Sequence, residues 1–261
     1  MILPTLFISH GSPETAIADT PAHDFLQTLG ERYQAVRAAL LISAHWESAC
    51  PVVSASQHPE TIHDFSGFPD ELYQIKYPAQ GSPKLAAEIA GMLESAGLQC
   101  EIDSRRGLDH GAWVPLSLMF PDANIPVAQL SIQQGLDPGV HLALGDALED
   151  LRKEGMLVIG SGGSVHPLGY VTFPSPTPFP WAVAFDDWLT DAVQRGDRQA
   201  LVDYHSEAPF PERAHPRPDH YMPLLVALGA AGPVAKGKVL HQSWEYGFLS
   251  MGMYAFDDQS S

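Results

Sequence analysis

Twelve histidines stand in this 261-residue sequence, nearly as many as its fourteen lysines and arginines together. Imidazole is the commonest protein ligand for zinc, iron, copper and nickel, and it moves protons near neutral pH. Three of the twelve fall at one kind of place, the carboxyl end of a short apolar run. His10 closes Leu6-Phe7-Ile8-Ser9 and precedes Gly11-Ser12-Pro13. His45 closes Leu40-Leu41-Ile42-Ser43-Ala44, and His166 follows Leu157-Val158-Ile159-Gly160-Ser161 through Gly162-Gly163-Ser164-Val165. In an open α/β sheet the strand carboxyl ends share the crevice where ligands bind. Several imidazoles delivered to one crevice read as a metal site. Taken singly, each reads more simply as a core or surface histidine donating to a carbonyl; the coincidence of three favours a site.

Two more histidines have suggestive neighbours. His110 lies in Arg106-Gly107-Leu108-Asp109-His110-Gly111-Ala112-Trp113, a loop that opens a helix. Asp109 there fits either a site or an ordinary N-cap. His220, in His215-Pro216-Arg217-Pro218-Asp219-His220-Tyr221, falls at the first turn of an apolar helix. Asp219 could hold its ring N–H or merely cap the helix. His63 is open to either reading, and His23, His58, His141, His205 and His241 read as surface residues. Other chemistries lack their motifs. Gly160-Ser161-Gly162-Gly163-Ser164 has neither the G-x-G-x-x-G nor the P-loop spacing, neither serine sits in a G-x-S-x-G elbow, and no H-E-x-x-H occurs.

The elements that must place these residues follow from periodicity. Strands are expected at Leu3–Ser9, Ala39–Ala44, Val52–Ser56, Gln99–Ile102, Ile125–Ile132, Met156–Ser161, and Val239–Ser243 with Tyr246–Met253. Helices are expected at Ala22–Val36, Pro83–Ser95, Val114–Phe120, Val140–Lys153, Trp181–Arg195, Arg198–Tyr204 and Tyr221–Gly229. Ser82-Pro83 supplies a capping hydroxyl and a first-turn proline, and Gly97 a left-handed stop. The alternation specifies an α/β fold, one domain over residues 1–261, with a central mostly parallel or mixed sheet flanked by helices on both faces. The Pro-rich stretch Phe173–Pro180 reads as a surface loop before a helix and not as a domain linker.

Composition narrows the function. A net charge of −17 opposes a phosphate backbone or an anionic membrane surface, so neither nucleic acid nor membrane is expected as partner. Charged residues are 17% against about 25% in an average domain, while hydrophobic residues at 45% can fill a core. Cys50 and Cys100 cannot build a disulfide scaffold or a four-cysteine zinc site. No basic leader or long apolar run is seen, so a cytoplasmic setting is the expectation. Oligomeric state has no readable signal.

Taken together, the motifs resemble those of the class III extradiol aromatic ring-opening dioxygenases (the LigB-like superfamily), and most nearly its DOPA-dioxygenase-type branch. The resemblance is carried by Ile8-Ser9-His10-Gly11-Ser12-Pro13, by Ile42-Ser43-Ala44-His45-Trp46 and by the stretch Asp64-Phe65-Ser66-Gly67-Phe68-Pro69 through Tyr73. It continues through Arg106–Leu116, Ile159–Gly162 and His215–His220 to the tail Tyr246–Phe256, nearly the whole chain. It implies His10, His45 and His220 as metal ligands, His110 as an acid/base, and His166 as a second acid/base or a fourth ligand. Two departures stand out. Many members place a glutamate where this chain has His220, and an all-imidazole set suits Zn(II) as well as Fe(II). The branch's usual His-Asn-Leu reads His166-Pro167-Leu168 here.

The implied reaction is Fe(II)-dependent cleavage of a small catecholic substrate, DOPA or another catechol, with O2 to a semialdehyde acid. The missing carboxylate keeps open a zinc hydrolase of the same fold, and a non-catalytic metal-binding protein is the third reading. Retention of both His110 and His166 speaks against the third. Arg105, Arg106 and Arg217 are candidate carboxylate clamps, with a surface ion pair the simpler reading of each.

Overall fold

The computed structural model describes residues 2–167 and 175–258. Its strands are β1 (Thr5–Ser9), β2 (Ala38–Ser48), β3 (Val52–Ser54), β4 (Gln80–Gly81), β5 (Glu101–Asp103), β6 (Pro126–Gln133), β7 (Met156–Gly162), β8 (Lys236–His241), β9 (Trp244–Glu245), β10 (Leu249–Ser250) and β11 (Met253–Asp257). The main helices are α1 (Pro21–Glu31), α2 (Pro83–Ser95), α3 (His110–Met119), α4 (Pro138–Asp146), α5 (Pro180–Arg195), α6 (Arg198–Val202), α7 (Tyr204–Glu207), α8 (Pro211–Ala214) and α9 (Met222–Ala230). Eight strands run in the order β5-β3-β6-β2-β7-β1-β11-β8, with β4 paired to β6. The centre is parallel (β6-β2-β7-β1), and β11 and β8 add an antiparallel edge beside β1. This is a single α/β domain with a mixed sheet.

Both faces of the sheet are covered, and its central strands are buried on both sides, with apolar residues predominating. Along β2, Ala38, Leu40 and Ile42 enter a core shared with α2, α4, α5 and α9, while Ala39 and Leu41 enter a second core under α1 and α3. Such two-sided burial is the condition of a parallel sheet. Among the described residues no helix is long and apolar enough to cross a membrane.

Several elements differ from the sequence expectation. The expected strand Tyr246–Met253 is instead a hairpin: β9 and β10 flank a turn in which Tyr246 takes φ 56° and Gly247 φ 75°. The edge strand that closes on β1 starts only at Met253. The helix expected over Ala22–Val36 ends at Glu31, and the Val140–Lys153 helix breaks at Asp146, giving way to a 3-10 segment, Glu149–Glu154. The Arg198–Tyr204 helix breaks at Asp203, whose φ and ψ leave the α region. Of the Pro-rich stretch, Phe173 and Pro174 lie outside the described residues, as does Leu168; the remainder leads into α5.

Candidate functional site

The sheet delivers its histidines to one end. His10 leaves β1 with its N–H on the carbonyl of Gly162 (3.1 Å), so β1 and β7 hold each other up to the site. His45 does not end its strand as expected. β2 runs on to Ser48, and its pairing with β6 slips between Ser43 and Glu47, so residues 44–46 bulge out of the ladder. A bulge re-aims side chains, and here it turns His45 onto His10, with Nε2 3.0 Å from Nε2. His220 ends a 3-10 turn, Pro218–His220, and its carbonyl takes the N–H of Gly163 at 3.0 Å. A Cβ at Gly162 would overlap that carbonyl, which is why glycine ends β7. Gly162→Ala is expected to cost about 1–3 kcal/mol of stability and to weaken metal binding by displacing His220; urea unfolding and metal titration check both.

His110, expected in a loop, is the first residue of α3. Asp109 holds the N-cap position, but its carboxylate does not cap the helix. It is fully buried and accepts from Ser43 Oγ (2.6 Å), Arg106 (2.8 Å) and Gln129. Ser43 Oγ accepts in turn from the His45 N–H (3.2 Å), so this buried carboxylate braces the bulge. The lack of a side chain at Gly111 lets α3 approach Ser43 and the His45 ring.

The five rings form one cluster. His10 lies 5.0 Å from His45, 5.4 Å from His110 and 5.2 Å from His220, centroid to centroid. His45 is 3.9 Å from His110 and 4.9 Å from His220, and His166 stacks on His220 at 3.4 Å. Two trios have donor atoms close enough for one cation: His10, His45 and His110, and His166, Asp219 and His220.

Hydrogen bonds fix the tautomers. The Ser161 hydroxyl donates to the Gly111 carbonyl, so it accepts from His10 Nδ1–H at 2.9 Å and leaves Nε2 with its lone pair. Asp219 Oδ1 accepts from His220 Nδ1–H at 3.0 Å, and His220 Nε2 is buried without a partner. Asp219 thus serves as the imidazole's partner. Burial lowers the pKa of every ligand-type ring, with the other imidazoles adding to it: His10 and His220 fall far below 6.5, His45 to about 4 and His166 to about 3. All four are neutral at pH 7, the state in which imidazole binds metal. Two Nε2 atoms 3.0 Å apart suit neighbouring vertices around an ion with bonds of about 2.0–2.1 Å. The donor set therefore fits a divalent metal.

Beside the cluster lies a cavity of about 280 Å³, walled by Phe65, Phe68, Phe248 and Leu249, with His45, His110, His166 and Pro167 on its polar side. His10 and His220 do not reach it. Asp64 was not singled out by sequence reasoning, although it belongs to a family-like stretch. Its Oδ1 accepts from both the ring Nδ1 (2.9 Å) and the backbone N–H (3.0 Å) of His110. Its Oδ2 stands 3.7 Å from His45 Nδ1. Burial would raise the Asp64 carboxyl, but the hydrogen bonds and charge of His110 outweigh it and hold it at about 2. Nothing in spacing links residues 64 and 110. Ser161 was likewise missed, having been weighed only as a nucleophile.

Other expectations resolve by contact. Arg217 pairs with Glu47 and with Asp219 (3.1 Å), and Arg106 with Asp109, so both are ion-pair residues. His141, expected on the surface, is fully buried: its Nδ1–H donates to Asp137 O (2.7 Å) and its Nε2 accepts from Gln133 N (3.0 Å). It pins α4 to the end of β6. His63 is held by the Ile75 carbonyl among Phe65, Tyr73 and Trp113.

Imidazoles gathered at strand ends beside an aromatic-walled cavity define a metal-binding enzyme site shaped for a ring. Residues 3–257 match the family described as the catalytic LigB subunit of aromatic ring-opening dioxygenase, and the chain belongs to that family as an extradiol ring-opening dioxygenase. It is 47% identical over 256 residues to the 4,5-DOPA dioxygenase extradiol of Beta vulgaris, covering 97% of this chain and 96% of that protein. To the protein of the same name from Escherichia coli K12 it is 37% identical, covering 95% and 93%. The crystal structure of an uncharacterized Escherichia coli K12 protein superposes with a TM-score of 0.82 at 32% identity, covering 97% of this chain and 99% of that one.

Proposed function

We propose that the protein uses Fe(II) and O2 to cleave a small catechol of the DOPA type to a semialdehyde acid, with His10, His45 and His220 as metal ligands and His110 and His166 as acid/base groups. The observation that carries the reading is the division of the cluster by access. His10 and His220 are buried behind the cavity and can meet only an ion, whereas His110 and His166 line it and can meet a substrate. His45 does both. The all-imidazole set also accepts Zn(II); the iron assignment rests on the oxygenase family, since zinc has no redox chemistry.

Held by His10, His45 and His220, Fe(II) would supply Lewis acidity toward a catechol and an electron conduit to O2. The protein's own groups supply the rest. The aromatic walls hold the ring and limit water around it. Asp64 keeps the proton of His110 on Nδ1, which leaves Nε2 as the basic atom of a cavity-lining ring, able to take a catechol proton. His166 starts neutral, with its pKa near 3, so it enters as a hydrogen-bond partner or fourth ligand and becomes an acid only after gaining a proton. Pro167, where the branch usually has asparagine, lines the cavity without offering it a side-chain amide.

The setting in this reading is cytoplasmic, supported by two free cysteines, and the partners are the catechol and O2, with nucleic acid and membrane disfavoured by the −17 charge. Anaerobically Fe(II)-loaded protein is expected to take up O2 with DOPA or a related catechol and form a yellow, pH-sensitive semialdehyde chromophore, while the zinc-loaded protein stays silent. Absence of uptake across a catechol panel by protein shown to hold iron would reject the proposal.

A further inference from the structure

Asp186 stands on α5, only 3% exposed, and is not among the residues that line the catalytic cavity. Besides burial, what acts on its carboxyl is the Ser250 hydroxyl, the like charge of Asp187 and the side chain of Gln242, and none of these is a cation. An interior carboxylate without a countercharge is costly. What it holds is Ser250, whose Oγ donates to Oδ1 at 2.6 Å. A hydrogen bond to an ionised acceptor is roughly twice as strong as a neutral one. We infer that Asp186 is a positioning residue of the active site: through Ser250 it fixes both the Phe248–Leu249 wall of the cavity and the strand-end loop that carries His166. The inference rests on the reading of that cavity as the catechol site with His166 as an acid/base group, and it adds what keeps wall and imidazole in register.

Ser250 lies where the two parts meet. It closes β10 directly after Leu249, and it forms an antiparallel bridge with Val165, the residue before His166. Just beyond it the chain joins a set of buried hydroxyls. The Gly252 N–H donates to Ser250 Oγ (3.2 Å), and the Gly252 carbonyl accepts from Ser9 Oγ (2.7 Å) and Ser164 Oγ (3.2 Å). Ser9 Oγ accepts in turn from the Ser164 N–H at 3.0 Å. The ends of β1 and β7 are thereby tied to the hairpin, and Asp186 ties the hairpin to α5. That helix is a firm base, since Ala182, Phe185 and Leu189 are buried in the core on either side of Asp186. A Cβ at Gly252 would press on Ser164 Oγ, so the hairpin can come this close only with glycine there.

On its other side the His166 backbone is held by α8, its N–H donating to the Ala214 carbonyl at 2.9 Å. The loop thus hangs between α8 and the hairpin, and slack at either contact moves the imidazole. The metal-ligand rings are secured differently. His10 has Ser161, His45 has Ser43 backed by Asp109, and His220 has Asp219. Among the described residues Asp186 hydrogen-bonds to none of these. Its loss is therefore felt by the groups that face the substrate and not by those that face the ion. That asymmetry separates positioning from a general loosening of the fold.

The test compares Asp186→Ala, Asp186→Asn and Ser250→Ala in the full chain. With iron bound and DOPA as substrate, Asp186→Ala should keep its metal, lower kcat about tenfold or more and raise KM several-fold, as a small misplacement of a reacting group does. Asp186→Asn keeps an oxygen for Ser250 and should recover kcat to within a few-fold of native. Ser250→Ala reads the same bond from its other end, should show the same loss, and serves where Asp186→Ala does not fold. In a His166→Ala background Asp186→Ala should lower kcat little further, because effects that pass through one group do not multiply. A second readout needs no turnover: the dissociation constant of 4-nitrocatechol, by absorbance titration of the zinc-loaded protein, should weaken several-fold in Asp186→Ala and return in Asp186→Asn. Native values in Asp186→Ala, loss of its metal, an undiminished kcat loss without His166, or no recovery in Asp186→Asn would overturn the inference. Failure of the ring-cleavage reading shows separately, as iron-loaded native protein that takes up no O2, and the 4-nitrocatechol constants then still decide the role of Asp186.

Discussion

His110→Ala is expected to hold metal as the native protein does and to lose about 10²–10⁴-fold in kcat, the contribution of a well-placed acid/base group. The expectation follows from where the ring sits. It lines the cavity at the first turn of α3, and its Nδ1–H is committed to Asp64. Truncation removes the basic Nε2 without touching the paired Nε2 atoms of His10 and His45 or the partnerless Nε2 of His220. His220→Ala should do the reverse and lower metal content itself. Asp64→Asn separates base from ligand more finely. The His110 backbone N–H and ring Nδ1–H share one oxygen, so the amide oxygen keeps that place and the tautomer, and what is lost is the negative charge beside the ring that takes up the catechol proton. Its kcat should fall by about tenfold or more with little change in KM. Metal content by elemental analysis, read beside single-turnover rates, checks all three. A His110→Ala protein that turns over normally, or that loses its metal, would remove the acid/base assignment.

The histidines at strand ends were legible because two independent rules meet there, hydrophobic periodicity and the crevice of open α/β sheets. Periodicity places β1, β2, β6 and β7 to within a few residues, since strands buried on both faces read as largely apolar runs. It could not supply the bulge that aims His45. Residues 44–46 leave the ladder because Ser43 is held by the buried Asp109, 66 positions away. The role of Asp64 was hidden for the same reason: its partner is 46 residues distant. The hairpin around Tyr246 was misread as a strand because aromatic and apolar residues on both sides of Gly247 mimic a β pattern. His141 looked like a surface residue in a polar context, yet two backbone partners make a buried imidazole acceptable. Long-range hydrogen bonding is what a local pattern omits, and it decides orientation more than placement.

That same burial predicts acid sensitivity that depends on metal. His215, 3% exposed among Phe185, Tyr204 and Tyr221, donates Nε2–H to the Ser164 carbonyl (3.0 Å), and burial lowers its pKa to about 4. In the unfolded chain it titrates near 6.5. Below that pH the unfolded state binds more protons than the folded one, so stability falls as pH falls until the folded pKa is reached. From pH 7 to pH 5 the loss from His215 alone is about 2 kcal/mol. In chelated protein His45 and His166, with pKa values near 4 and 3, each add a loss of about the same size. Asp186 works in the other direction. Burial raises its carboxyl to about 6, so acidification relieves about 1–2 kcal/mol that ionisation costs at pH 7. The net loss remains a large share of the 5–15 kcal/mol of a typical domain. Metal-free protein should therefore unfold on mild acidification, with its urea midpoint dropping steeply below pH 6.5. Metal-loaded protein should keep only the shallower dependence of His166, His215 and the other buried imidazoles that hold no metal, because coordinated rings cannot take protons at these pH values. His215→Phe, placed among three aromatic rings, should flatten the dependence in both forms. Parallel urea titrations from pH 7 to pH 5 decide the matter, and identical slopes with and without metal would show that the clustered imidazoles are not the ligands.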